Sequence, residues 1–135
     1  MGQKMDIVLQ THDKQKVLTL NNFQLSESFG QAELYVFSGG FSVDTLFYFD
    51  RSYFKAFVKN LKVIRDTLCG EAILKPKYED DYIKFSGSKS GHVVVEGEIF
   101  WHSEFDQKLR FSFQTDQTVL APFIADLAKA AGVNF

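Results

Sequence analysis

Two hydrophobic periods run through this chain. From residue 92 to 102, apolar and polar positions alternate. Val93, Val95, Ile99 and Trp101 fall on one face, and Glu96, Glu98 and His102 on the other. Residues 107–114 repeat the pattern, with Leu109, Phe111 and Phe113 inward and Lys108, Arg110, Ser112 and Gln114 outward. Further back the spacing changes to three and four. Phe54, Phe57, Val58, Leu61, Ile64 and Leu68 then share one face of an amphipathic helix, leaving Lys55, Lys59, Lys62 and Arg65 in water. Asp50 is a suitable N-cap for that helix, and Gly70 a left-handed stop. A second helical stripe, Leu120, Phe123, Ile124, Leu127 and Ala131, opens at Asp116 and closes at Gly132. Pro122 falls in its first two turns, near where proline is tolerated.

The rest of the chain reads as strands. Residues 5–10, 16–27, 32–37 and 41–49 are strand segments, with a kink at Asn21-Asn22 and a turn or bulge at Ser38-Gly39-Gly40. Segments 71–76 and 81–86 follow the first helix, separated by the acidic run Glu79-Asp80-Asp81. The strands at 92–102 and 107–114 form an antiparallel hairpin. Odd-numbered residues face the core on both, so paired positions sum to an even number. A sum of 208 places Glu98 opposite Arg110 and Ile99 opposite Leu109, and a sum of 210 places His102 opposite Lys108. Facing opposite charges favour 208.

This order predicts one α+β domain: an antiparallel sheet of about six to eight strands with two amphipathic helices packed on it. Composition agrees. A chain of 135 residues, 45% hydrophobic and with 15 phenylalanines, can build a core without disulfides or metal. Neither a repeat nor a linker is visible in the sequence. A net charge of −2 argues against a non-specific nucleic-acid binder. No apolar run is long enough to span a membrane. The single cysteine, Cys69, forms no internal disulfide and suits a reducing compartment, so a cytoplasmic location is expected.

Few residues suggest catalysis. His92 and His102 are ten apart on one strand, so roughly 33 Å separates them, too far to share a metal; His12 lies in a turn. Cys69 at a helix C-terminus lacks what stabilises a thiolate and reads as buried and inert. The glycine-serine stretches 38–42 and 86–91 lack phosphate-loop spacing and read as turns. Glu96 and Glu98 share a face like a carboxylate pair, but Lys108 and Arg110 on the next strand favour a solvated charge ladder. Glu79-Asp80-Asp81 has no calcium-loop spacing and reads as a surface turn. No cofactor and no enzymatic activity are expected.

Four segments nonetheless form a recognisable series: Gly39-Gly40-Phe41-Ser42, the stretch Leu68 to Leu74, the stretch Gly91 to Ile99, and the stretch Leu109 to Leu120. In that order and spacing the chain resembles, over roughly residues 17–131, the WapI-type immunity proteins of bacterial polymorphic-toxin systems. The shared motifs are mainly fold-forming. Gly97, for example, leaves room for an aromatic ring over a pleat.

The resemblance implies a small cytoplasmic protein that binds and neutralises a cognate toxin domain. Toxins that cut nucleic acid are often basic, so an acidic patch with aromatic anchors is the expected contact: Tyr78, Glu79, Asp80, Asp81, Tyr82, Glu96 and Glu98. Two other readings remain open at this point. One is a small ligand-binding or structural domain with no toxin partner. The other is a hydrolase using Glu96 or Glu98. Nothing in the sequence specifies an oligomeric state.

Overall fold

The computed structural model describes residues 5–13, 16–101 and 105–132. Four antiparallel strands come first: β1 (Met5–Leu9), β2 (Lys16–Leu25), β3 (Phe29–Ser38) and β4 (Phe41–Asp50). Helix α1 (Arg51–Thr67) follows, then β5 (Glu71–Leu74), β6 (Tyr82–Gly87), β7 (His92–Trp101) and β8 (Gln107–Asp116), and finally α2 (Leu120–Ala131). The α+β class and the strand number agree with the sequence pattern. The eight strands divide into two four-stranded meanders, β1-β2-β3-β4 and β5-β6-β7-β8, each followed by a helix. The same topology is therefore used twice, although the sequence shows no repeat.

Local chemistry explains most boundaries. Asn22 adopts φ 52° where the β2–β3 register shifts between Asn21 and Gln24, and its N–H donates to the Asp6 carboxylate at 3.1 Å. This is the kink expected at Asn21-Asn22. Gly39 and Gly40, at φ 58° and 90°, make the β3–β4 turn. Asp50 caps α1 by accepting from Ser52 N–H at 3.0 Å. The β7–β8 register matches the sum of 208, with Glu98 opposite Arg110 and Ile99 opposite Leu109.

Several expectations need correcting. The left-handed C-cap of α1 is Leu68 at φ 61°, not Gly70; its N–H bonds the Ile64 carbonyl at 2.9 Å. Gly70, at φ 101°, belongs to the loop beyond, where its carbonyl accepts from Gly87 N–H at 3.0 Å. Cys69 lies in that loop and is exposed rather than buried. Asp116 stays extended and caps nothing with its side chain; a 3-10 turn at Gln117–Val119 precedes α2. Pro122 is thus the third residue of α2, where no intrahelical N–H bond is lost. Trp101 is 59% exposed, because it sits at the last pair of the hairpin, opposite Gln107, beyond the buried positions ending at Ile99. His102 lies outside the described residues.

Aromatic rings hold the layers together. Phe54 of α1 packs on Phe23 and Phe49 of the first sheet at 5.3 and 5.6 Å between centroids. One turn on, Phe57 meets Phe85 of the second sheet edge-on at 5.7 Å, and Phe85 stacks on Phe123 of α2 at 5.6 Å. Helix α1 thereby bridges both sheets, and the buried residues of both sheets and both helices form one contiguous cluster.

Candidate functional site

The strand alternation decides where the candidate residues lie. Ile83, Phe85, Val93 and Val95 are buried, so Tyr82, Lys84, Glu96 and Glu98 project from the opposite, outer face of the second sheet. Tyr82 pairs with Glu98 and Lys84 with Glu96 across β6 and β7. Lys84 Nζ lies 2.9 Å from Glu96 and 3.9 Å from Glu71. Glu98 takes its cation from β8: Lys108 Nζ is 3.9 Å away, diagonal to the register. Both glutamate side chains are about one-fifth exposed, at 21% and 22%. The Glu96 hydrogen bond holds the Lys84 ammonium above its ordinary range, against the opposing effect of burial. Of the two cations expected to form a charge ladder, Lys108 supplies a distant partner and Arg110 stands opposite Glu98 in the register, while Lys84 of β6 is the closer partner the pattern did not point to.

The acidic turn lies between β5 and β6, at one end of the same sheet. Its members differ in what they do. Asp81 is half-buried, and its carboxylate accepts from Phe100 N–H at 3.2 Å, continuing the β6–β7 ladder past Tyr82. Glu79 and Asp80 are exposed, and Tyr78 is 89% exposed with Lys77 Nζ 5.5 Å from its ring centre. Among the seven candidates, then, Tyr78, Glu79 and Asp80 are freely presented, while Asp81, Glu96 and Glu98 are engaged within the protein.

Concave sites occur elsewhere. A cleft of about 260 Å³ lies where the β1–β2 loop meets the start of β7 and the end of β8, lined by Thr11, His12, Asp13, His92 and Asp116 among others. His12 and His92 thus line the same cleft, although they are far apart in sequence. His12 Nε2 is also 3.4 Å from Thr118 Oγ1. Among the described residues, no group of three or more His, Cys, Asp or Glu is arranged to hold a metal ion. Two further clefts of about 290 Å³ open between β8 and the β3–β4 hairpin, and between β4 and the tip of the β7–β8 hairpin. Glu96 and Glu98 line none of these three clefts.

The pattern left one surface unread. Leu34, Val36, Phe47 and Phe49 are buried, so their neighbours along β3 and β4 point away from the helices. These include Phe29, Tyr35, Phe37, Leu46 and Tyr48, which give the first sheet an apolar outer face as well. Because both faces carry large apolar residues, these strands lack the clean polar alternation that marks an outer face.

Comparison with known proteins gives two matches. A family model described as the immunity protein WapI-like family matches residues 11–131. A solved structure described as crystal structures of Trypanosoma bruciei MRP1/MRP2 is similar with a TM-score of 0.54 at 10% identity, covering 96% of this chain and 84% of that one. At that identity the likeness shows a shared fold. No curated protein matches the chain.

Proposed function

The chain belongs to the WapI-like immunity protein family, and from that premise we propose that it binds a cognate bacterial toxin domain and neutralises it by occlusion, without catalysis, in the cytoplasm. The family match over residues 11–131 is the observation that carries this reading. The acidic turn is the proposed point of first contact. Tyr78 supplies an exposed ring as anchor, and Glu79 and Asp80 supply charge unencumbered by the ladder. Tyr82 and Glu98 extend the patch onto the sheet, with Asp81 and Glu96 fixing its shape through their internal bonds. Such a patch speeds encounter with a basic partner more than it strengthens the final complex.

The test is co-expression. The genes adjacent to this one are searched for a toxin, and its C-terminal domain is produced in a sensitive cell with and without this chain. Growth restored by the chain, and a one-to-one complex on gel filtration, is the expected result. A toxin domain that kills equally well in both strains, with no complex formed, would reject the reading.

A further inference from the structure

We propose that the outer face of the first sheet, β1 to β4, is the main docking surface for a basic protein partner. The inference rests on the immunity reading and says where and by what chemistry the toxin is held.

Three observations carry it. The first is uncovered apolar area. Phe29, Leu46 and Tyr48 are 46%, 45% and 45% exposed on adjoining strands, with Tyr35 and Phe37 half-buried beside them. The rings of Phe29 and Tyr48 lie 6.5 Å apart. Core residues on the other side of these strands pack against the helices, so among the described residues the outer side has no layer over it. Contiguous aromatic area of this kind marks an interaction site.

The second is the sign of the charge. The residues the four strands present on this face include Asp6, Glu33, Asp44 and Asp50, and no lysine or arginine. Asp6 and Asp50 are spent on Asn22 and on the α1 cap. Glu33 and Asp44 are exposed and stand opposite Leu46 and Tyr35 on the neighbouring strands, within the aromatic area itself. The contrast with the second sheet is direct, since there Lys84 and Lys108 answer Glu96 and Glu98. Carboxylates without cations repel phosphate, which disfavours a nucleic acid or an anionic membrane. A two-fold dimer through this face would set the same carboxylates against one another. A basic protein surface is the occupant that fits.

The third is extent. Four strands about 4.8 Å apart and up to ten residues long give roughly 600 Å² of sheet, against about 800 Å² that each partner gives to a stable complex. The β5–β6 loop, which carries the acidic turn, borders this sheet at one end. That loop is tied to the end of β4, where Asp50 N–H donates to the Lys75 carbonyl at 3.2 Å. At that end, Asp50 pairs with Phe29. Lys75 and Arg51 sit at this rim, Lys75 over the Tyr53 ring at 5.3 Å and Arg51 donating to the Ser26 carbonyl at 2.8 Å.

The experiment compares wild type with two variants, Glu33→Lys with Asp44→Lys, and Tyr48→Ala with Leu46→Ala. All four positions are at the surface, and thermal unfolding checks that each variant folds. The probe is the purified neighbouring toxin domain carrying an inactivating substitution, with binding followed at several salt concentrations. The charge variant is expected to bind roughly 10- to 100-fold more weakly, chiefly through slower association and with a flatter salt dependence. The apolar variant is expected to dissociate at least tenfold faster. Wild-type binding that survives both variants unchanged would overturn this inference and leave the immunity reading standing. Absence of wild-type binding would overturn both. Tight binding of a labelled single-stranded oligonucleotide lost in the Tyr48 variant, or a dimer in sedimentation abolished by it, would assign the face to another occupant and likewise overturn the proposal.

Discussion

At the residue scale, two glycines do similar work in the two sheets. A Cβ on Gly97 would lie 2.5 Å from the Tyr82 carbonyl oxygen and 2.7 Å from the Phe111 ring, and one on Gly30 would lie 2.2 Å from the Phe49 ring. In both cases the ring belongs to the residue directly opposite, so the phenylalanine lies over the bare pleat. Gly97→Ala is the harsher change, because a backbone oxygen cannot rotate away. It should cost about 1–3 kcal/mol, seen as a lower urea midpoint at constant slope. The Lys84–Glu96 pair makes a pH prediction. Lys84 titrates above its ordinary value near 10.5, chiefly because it donates to Glu96. Its contribution is therefore complete below that value and is lost as pH rises through the higher folded value. Glu96→Gln should lose about 0.5–1 kcal/mol at pH 7. It should also show a weaker fall in stability across the alkaline range than wild type, measured by urea unfolding from pH 7 to 11.

At the element scale, the start of α1 rests on one side-chain cap. Asp50 accepts from the Ser52 hydroxyl and backbone, which holds its carboxyl below the ordinary value near 3.8, the hydroxyl bond being the larger cause. The stabilisation is complete above that value and disappears as pH falls through the lower folded one. Asp50→Ala should cost about 1 kcal/mol and speed amide exchange in the first turn of α1 before the rest of the helix. An exchange pattern unchanged from wild type would show that the rings of Phe54 and Phe57 hold that turn without the cap. The start of α2 is secured differently. The Gln117 amide donates to the Arg65 carbonyl near the end of α1, so one helix end is tied to the other. That bond joins residues 52 positions apart, and no capping rule points to it.

At the scale of the whole molecule, the two meanders are joined through α1. We expect residues 1–135 to unfold as one domain, because the buried cluster is shared between both sheets. Phe57→Ala removes the ring that meets Phe85 in the second sheet and should cost about 3–5 kcal/mol. If the chain is one cooperative unit, slowly exchanging amides in the first sheet should lose protection as much as those in the second. Loss confined to β5–β8 would mean that the sheets unfold separately. Trp101, exposed at a hairpin tip, should report this transition poorly, so circular dichroism is the better probe.

What the sequence determined by itself was local. Residues spaced by three and four placed α1, and alternation in 92–102 and 107–114 gave both the hairpin and its register, because parity and facing charges allow few pairings. The family likeness was legible too, since its segments contain the caps, turns and bare pleats that the backbone requires. The division of eight strands into two sheets was not, because edge strands carry no mark of where pairing stops. Nor could the chain order show that Lys84 rather than Arg110 secures a glutamate, that His12 and His92 line one cleft, or that Cys69 is exposed. The aromatic, cation-free face of the first sheet was hidden for a related reason. Alternation identifies an outer face only when that face is polar, and here burial alone separates Phe47 and Phe49 from Leu46 and Tyr48. Tertiary packing decided which side the helices cover, and with it which apolar residues form the core and which stay exposed on the outer face.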